Sequence, residues 1–130
     1  MKKKIICFNM VLIFLLLSGC NSNNDLNTVK NGTYVMEVET EAGTPPYVTI
    51  SDNKISFIYD LLSSYLSLGT YSIDDDILTM TTDDSKYIYV FQIDGDNLIF
   101  QKSKSSSVNL IDGKHGVKIT DKAKFHLKDD

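Results

Sequence analysis

The side chains of this 130-residue chain best suited to chemistry are two histidines, three aspartate clusters and two groups of serines. His115 stands in Asp112-Gly113-Lys114-His115-Gly116, where it could act as a ligand or acid–base group, but the flanking glycines mark an exposed loop. His126 alternates with Phe125 and Leu127, which turns it outward beside Lys124 and Lys128. Neither histidine has another near it in sequence, so the spacing provides no zinc site. Asp74-Asp75-Asp76, Asp83-Asp84 and Asp94-Gly95-Asp96-Asn97 supply the hard oxygen ligands that calcium requires. None has the alternating loop that ends in a bidentate glutamate, and hairpin tips select Asp, Asn and Gly for their backbone tolerance, so turns account for all three. Ser63-Ser64 and the run Ser103 to Ser107 lack a Gly-x-Ser-x-Gly elbow and a nearby base, and read as linkers and caps. No catalytic residue, metal or cofactor is expected on these grounds.

The remaining chemical candidates are Cys7 and Cys20. Met1-Lys2-Lys3-Lys4, the apolar run Ile5 to Leu17 and the small pair Ser18-Gly19 have the order of a secretory signal: charged, apolar, cleavable. At ~1.5 Å of helical rise per residue the apolar run covers roughly 20 Å, short of a ~30 Å hydrocarbon core. Leu17-Ser18-Gly19-Cys20 resembles the lipobox of bacterial lipoproteins. The resemblance implies a diacylglyceryl thioether on Cys20, cleavage before it and acylation of the new amino terminus. Two or three acyl chains make a stable anchor, where one is marginal. The expected location is the extracytoplasmic face of the cell membrane. Cys7 would leave with the leader and Cys20 would carry lipid, so the mature domain has no disulfide, thiolate metal site or cysteine nucleophile.

The division that follows is residues 1–19 as a removed signal peptide, 20–30 as lipidated cysteine and flexible tether, and 31–130 as the folded domain. Asn21 to Asn27 is polar, free of aromatics and rich in turn formers, as solvated linkers are. All thirteen basic residues are lysines, and three leave with the leader. Ten lysines then face seventeen acids, a formal charge of −7. Such a surface repels nucleic acid and anionic membrane. Without arginine the usual bidentate fork for phosphate or carboxylate is missing. Tryptophan is absent, so bulky packing falls to seven tyrosines and six phenylalanines.

What must position these residues is a series of short β-branched and aromatic runs separated by Asp, Asn and Gly, with no apolar stripe of helical length. The pattern predicts strands at Thr33 to Thr40, Tyr47 to Ile50, Lys54 to Asp60, Leu68 to Ile73, Ile77 to Thr82, Lys86 to Ile93, Asn97 to Lys102 and Ala123 to Lys128. Pro46 suits the first residue of a strand, and Gly69 suggests a bulge or bend. Leu61 to Leu66 leans to a short turn, and Val108 to Ile119 is irregular. In the sixth run Tyr87, Tyr89, Phe91 and Ile93 oppose Ile88 and Val90, which predicts cover on both faces. About eight antiparallel strands at hairpin spacing predict an all-β, up-and-down barrel, because closure removes exposed edges. A two-sheet β-sandwich is the alternative. Eight strands enclose a space that side chains just fill or that holds one small ligand. Tyr34, Phe57, Tyr59, Tyr71, Tyr87, Tyr89 and Phe91 are the candidate lining.

Gly69-Thr70-Tyr71, Leu78-Thr79-Met80-Thr81-Thr82-Asp83-Asp84, Tyr87-Ile88-Tyr89-Val90-Phe91, Leu98-Ile99-Phe100 and Ser105-Ser106-Ser107 together resemble a recurrent module. It is similar to that of small lipoproteins and membrane-protein tails from clostridia and related Gram-positive bacteria. The resemblance spans roughly Asn31 to Lys128 and implies a compact lipocalin-like barrel, with Asp112 to Thr120 as an insertion before the last strand. No activity comes with it. Two functions are expected: a monomeric, non-catalytic interaction or sensing module that meets another envelope protein, or a carrier of a small apolar ligand inside the barrel.

Overall fold

The computed structural model describes residues 28–39, 43–113 and 116–129. The expected leader, Cys20 and most of the tether lie outside the described residues, as does His115. Eight strands run in chain order: β1 Gly32–Met36, β2 Tyr47–Ser51, β3 Lys54–Ile58, β4 Ser67–Asp74, β5 Ile77–Thr82, β6 Ile88–Asp94, β7 Asn97–Phe100 and β8 Lys124–Leu127. Each pairs antiparallel with the next, and β8 returns to β1 to close an eight-stranded up-and-down barrel. The barrel, not the sandwich, is the architecture. Every strand falls on an expected run, and all of them lie between Gly32 and Leu127, so the barrel is covalently complete without the leader.

Alternation sets which face is buried. Tyr34 and Met36, Val48 and Ile50, Ile55 and Phe57, Leu78 and Met80, Tyr89 and Phe91, Leu98 and Phe100, and Phe125 all point inward and are buried. Phe57 stands among the rings of Tyr59, Tyr89, Phe91, Phe100 and Phe125 at centroid distances of 5.1–6.0 Å, mostly tilted or edge-on. Such aromatic pairs add about 0.5–1.5 kcal/mol each beyond area burial. The interior is thereby occupied by side chains along its axis.

Three two-residue turns close one end. They connect β2 to β3, β4 to β5 and β6 to β7, and their first residues, Asp52, Asp75 and Gly95, have φ of 56°, 55° and 59°. Aspartate tolerates this left-handed backbone better than most side chains, which explains the acidic tips. The other end carries the long connections, residues 37–46, 59–66, 83–87 and 101–123. Pro46 directly precedes β2, and its carbonyl accepts from the Met36 amide.

Two local expectations are corrected. The ladder through Gly69 is continuous, with Gly69 opposite Thr82 and Ile55 and no inserted residue, so the expected bulge is absent. The glycine is required by close approach instead: a Cβ there would lie 2.0 Å from the Thr81 carbonyl oxygen. The double cover expected for β6 holds only at Val90. Beyond β7 the chain turns through a 3₁₀ segment, Lys102–Lys104, and lies along β6, where the Val90 amide donates to Ser105 Oγ. Ile88, on the same outer face, remains 45% exposed.

Candidate functional site: an apolar crown on the long-loop end

The side chains that leave the barrel axis do so unequally at its two ends. At the tight-turn end, the Tyr34 hydroxyl donates to the Lys30 carbonyl at 2.8 Å and that of Tyr71 to the Asp52 carbonyl. These hydroxyls tie the interior to the tether and to a tip. Lys30 pairs with Asp96 at 2.9 Å, and Asn31 exchanges hydrogen bonds with Asp52. The last residues before β1 are thus fixed to two of the three tips.

The long-loop end differs. All nine large hydrophobic side chains left exposed among the described residues sit here: Val38 after β1, Leu61, Leu62, Tyr65 and Leu66 between β3 and β4, Leu68 on β4, Tyr87 and Ile88 at β6, and Ile111 in the β7–β8 connection. The expected turn at Leu61 to Leu66 is present. Asp60 builds it, accepting from the Leu62 amide at 2.9 Å, while its other oxygen accepts from the Ile111 amide at 2.7 Å. One carboxylate therefore joins two loops 51 residues apart. A cleft of about 120 Å³ lies between these loops, lined by Gly43, Thr44, Tyr59, Leu61, Asp112 and Val117 among others. Val108, and Val117 and Ile119 of the expected insertion, pack against the core from this side.

A line of tyrosines leads from this rim inward. Tyr65 meets Tyr87 edge-on at 5.4 Å, Tyr87 stacks over Tyr89 at 6.3 Å, and Tyr89 touches Tyr59 and Phe57. Asp84 holds the rim: it accepts from Thr82 Oγ at 2.7 Å, from the Lys86 amide at 3.0 Å and from the Tyr65 hydroxyl at 2.8 Å. The Thr82 hydroxyl first, and the Lys86 amide next, hold its carboxyl below the ordinary range. Burial raises the Tyr65 phenol, and the hydrogen bond to Asp84 raises it further. Tyr89 is fully buried and burial pushes its phenol well up. Its hydroxyl lies near those of Tyr59 and Ser67 but makes no hydrogen bond of normal geometry among the described residues.

The seven candidate lining residues are thus divided. Phe57, Tyr59, Tyr87, Tyr89 and Phe91 form one continuous aromatic column toward the rim, whereas Tyr34 and Tyr71 seal the opposite end. Sequence reasoning did not single out Asp60, and it read Asp84 only as part of a turn; the partners of both are set by the fold.

Chemistry is sparse elsewhere. His126 faces outward as expected, but it has partners: its ring nitrogens contact Glu37, just after β1, and Asn97 on β7, on either side of β8. The aspartates of three tips converge on the tight-turn end while Asp83 and Asp84 lie at the other. Among the described residues no group of three His, Cys, Asp or Glu side chains is placed to hold a metal, and no helix is long and apolar enough to cross a membrane. Comparison with protein-family models, with curated proteins and with solved structures finds no match.

Proposed function

We propose that this chain is a lipid-anchored extracytoplasmic lipoprotein whose barrel is a non-catalytic protein-interaction module, meeting an envelope protein that presents apolar side chains. The observation that carries the reading is the segregation of exposed hydrophobic side chains. Single exposed apolar residues are ordinary, but nine gathered at one end of a small domain mark a contact surface. Tyrosine adds to it, since it supplies large amphipathic contact area with few torsions to freeze. The packed interior supports this reading over that of a carrier, which needs internal room for its ligand. Anchoring rests on the lipobox resemblance at Leu17 to Cys20 and on the tether composition.

A photo-crosslinking residue at Leu62, on the crown, and one at Ser72, on the outer wall, test it in the source cell. Leu62 is expected to give a discrete adduct and Ser72 none. Equal labelling from both positions, or none from Leu62, overturns the interaction reading. Membrane fractionation of Cys20→Ser tests the anchor separately: release of the protein is expected, and unchanged membrane association and processing would remove that part. A stoichiometric small molecule in native mass spectra of the mature chain would favour the carrier instead.

A further inference from the structure

The seam between β1 and β8 opens at the crown end. Its last bond runs from the Glu37 amide to the Lys124 carbonyl at 2.8 Å. Continuing the register of Val35 with His126 and Met36 with Phe125 would set Glu39 opposite Lys122, but the Lys122 amide donates to the Phe100 carbonyl instead. Lys122 has φ of 65°, and this left-handed turn takes the residues before it off the ladder. A groove of about 670 Å³ lies in the resulting fork, lined by residues 36–39 on one arm and by 117, 118, 120 and 122–124 on the other. Among the described residues, the main chain of Val38, Glu39, Val117, Lys118 and Ile119 makes no backbone hydrogen bond.

Both arms nevertheless keep the two faces of the barrel wall. Strand alternation places Val38 on the inner face with the buried Met36, and Glu37 and Glu39 on the outer face. On the other arm Val117 and Ile119 pack against the core, while Lys118 and Thr120 are exposed. Charge divides the outer face, with acids on the first arm and lysines on the second. Glu37 is held by His126 and Lys122 by Gln101, which leaves Lys118 and Lys124 as the cations without a side-chain partner among the described residues. The fork therefore has open main chain, an apolar inner side and a cationic outer rim, and Val38 joins it to the crown.

We propose that this fork is a strand-addition site, in which a segment of the partner lies extended and hydrogen-bonds the main chain of residues 37–39. Its alternate side chains turn inward onto Met36, Val38 and Val117, and the others turn outward, an acidic one among them meeting Lys118 and Lys124. The proposal rests on the interaction reading and names how the partner's chain is held. A small apolar molecule would fill the inner half of the groove and leave the open amides unmet. A helix satisfies its own main chain and offers none to the arms. An added strand uses both the edge and the alternation, as strand-addition complexes do.

The chain from Cys20 onward contains the whole barrel and a single thiol, through which it can be held on a support and offered displayed random peptides of about nine residues, within the usual length of strands. Enriched peptides are expected to alternate apolar and polar residues, with acids among the polar ones. In the tightest of them, methylating one amide nitrogen at a time should weaken binding about tenfold at every second position and little at those between, because only alternate amides face residues 37–39. Glu39→Pro, which removes an amide from the open edge, should weaken binding by a similar factor, whereas Glu39→Gln, which keeps the amide, should not. Combining Lys118→Glu with Lys124→Glu should weaken the acid-bearing peptides. Absence of enriched peptides, equal sensitivity to methylation at successive positions, or binding indifferent to Glu39→Pro overturns strand addition. The methylation series uses the unaltered protein, so it decides the matter even where a variant fails to fold. A crosslinked adduct from Leu62 in cells alongside any of these failures removes the fork and leaves the interaction reading standing.

Discussion

Tyrosine hydroxyls in this barrel fall into two kinds with opposite consequences. That of Tyr34 has an acceptor, the Lys30 carbonyl, whereas that of Tyr89 is buried without one of normal geometry. Removing a satisfied group loses about 1 kcal/mol, and removing an unsatisfied buried one regains part of its desolvation cost. Tyr34→Phe should therefore destabilise by about 1 kcal/mol, while Tyr89→Phe should be neutral or stabilise by up to about 1 kcal/mol, as read from urea unfolding. If Tyr89→Phe is strongly destabilising, its hydroxyl has a partner that matters. Burial also raises the Tyr34 phenol, to about 12. The unfolded chain ionises near 10 and the folded one resists, so stability is intact below about 10 and falls through about 12 as pH rises. Phenolate absorbance should show Tyr34 ionising only near that upper value or with unfolding. None of these distinctions was legible in the sequence. A tyrosine's spacing shows which face it takes, but its hydroxyl's acceptor is a backbone carbonyl fixed by the fold, and for Asp60 one of the two donors lies 51 residues away.

Strands and turns, by contrast, were legible nearly throughout, because alternation and acidic tips are local signals. Thr33 to Thr40 and Asn97 to Lys102 were drawn too long at the crown end, where β1 ends at Met36 and β7 at Phe100. There the residues stay extended or polar while their hydrogen bonds pass to loops and side chains, as when Ser105 Oγ takes the Val90 amide. The outer face of β6 was misread for a related reason: two apolar residues in a strand do not say which of them a neighbouring loop will cover. Gly69 offers the sharpest test at this scale. Its place in an unbroken ladder means that Gly69→Ala must push the Thr81 carbonyl aside, and β5 has little slack with Leu78 and Met80 fully buried. A loss of about 2–4 kcal/mol is expected, with the far-ultraviolet β signature retained in whatever folds. A loss below about 0.5 kcal/mol would show that the two strands are free to separate.

At the scale of the whole molecule, closure is the long-range event. β1 meets β8 across nearly the full length of the domain, and such non-local pairing folds slowly, on the millisecond-to-second scale. Removing residues 122–130 takes away Phe125, which is fully buried, and leaves one edge each of β1 and β7 unpaired. That truncation should aggregate at micromolar concentration rather than remain a soluble open sheet, which light scattering would show. Barrel architecture was readable because successive hairpins leave few other ways to hide eight edges. The crown was not, since exposure depends on which loops turn over the mouth, and Val117 and Ile119 do so while Leu61 and Leu62 do not.

The first and last strands leave the barrel side by side: the Lys128 amide donates to the Thr33 carbonyl at 2.8 Å. A few glycines would therefore link residue 129 to residue 31, and the circle could be opened in the exposed 83–86 turn without cutting a strand. Such a circular permutant keeps every ladder but begins at the crown. Whatever is fused to that new start would reach the barrel across the crown, whereas in the native order the chain arrives at the tight-turn tips.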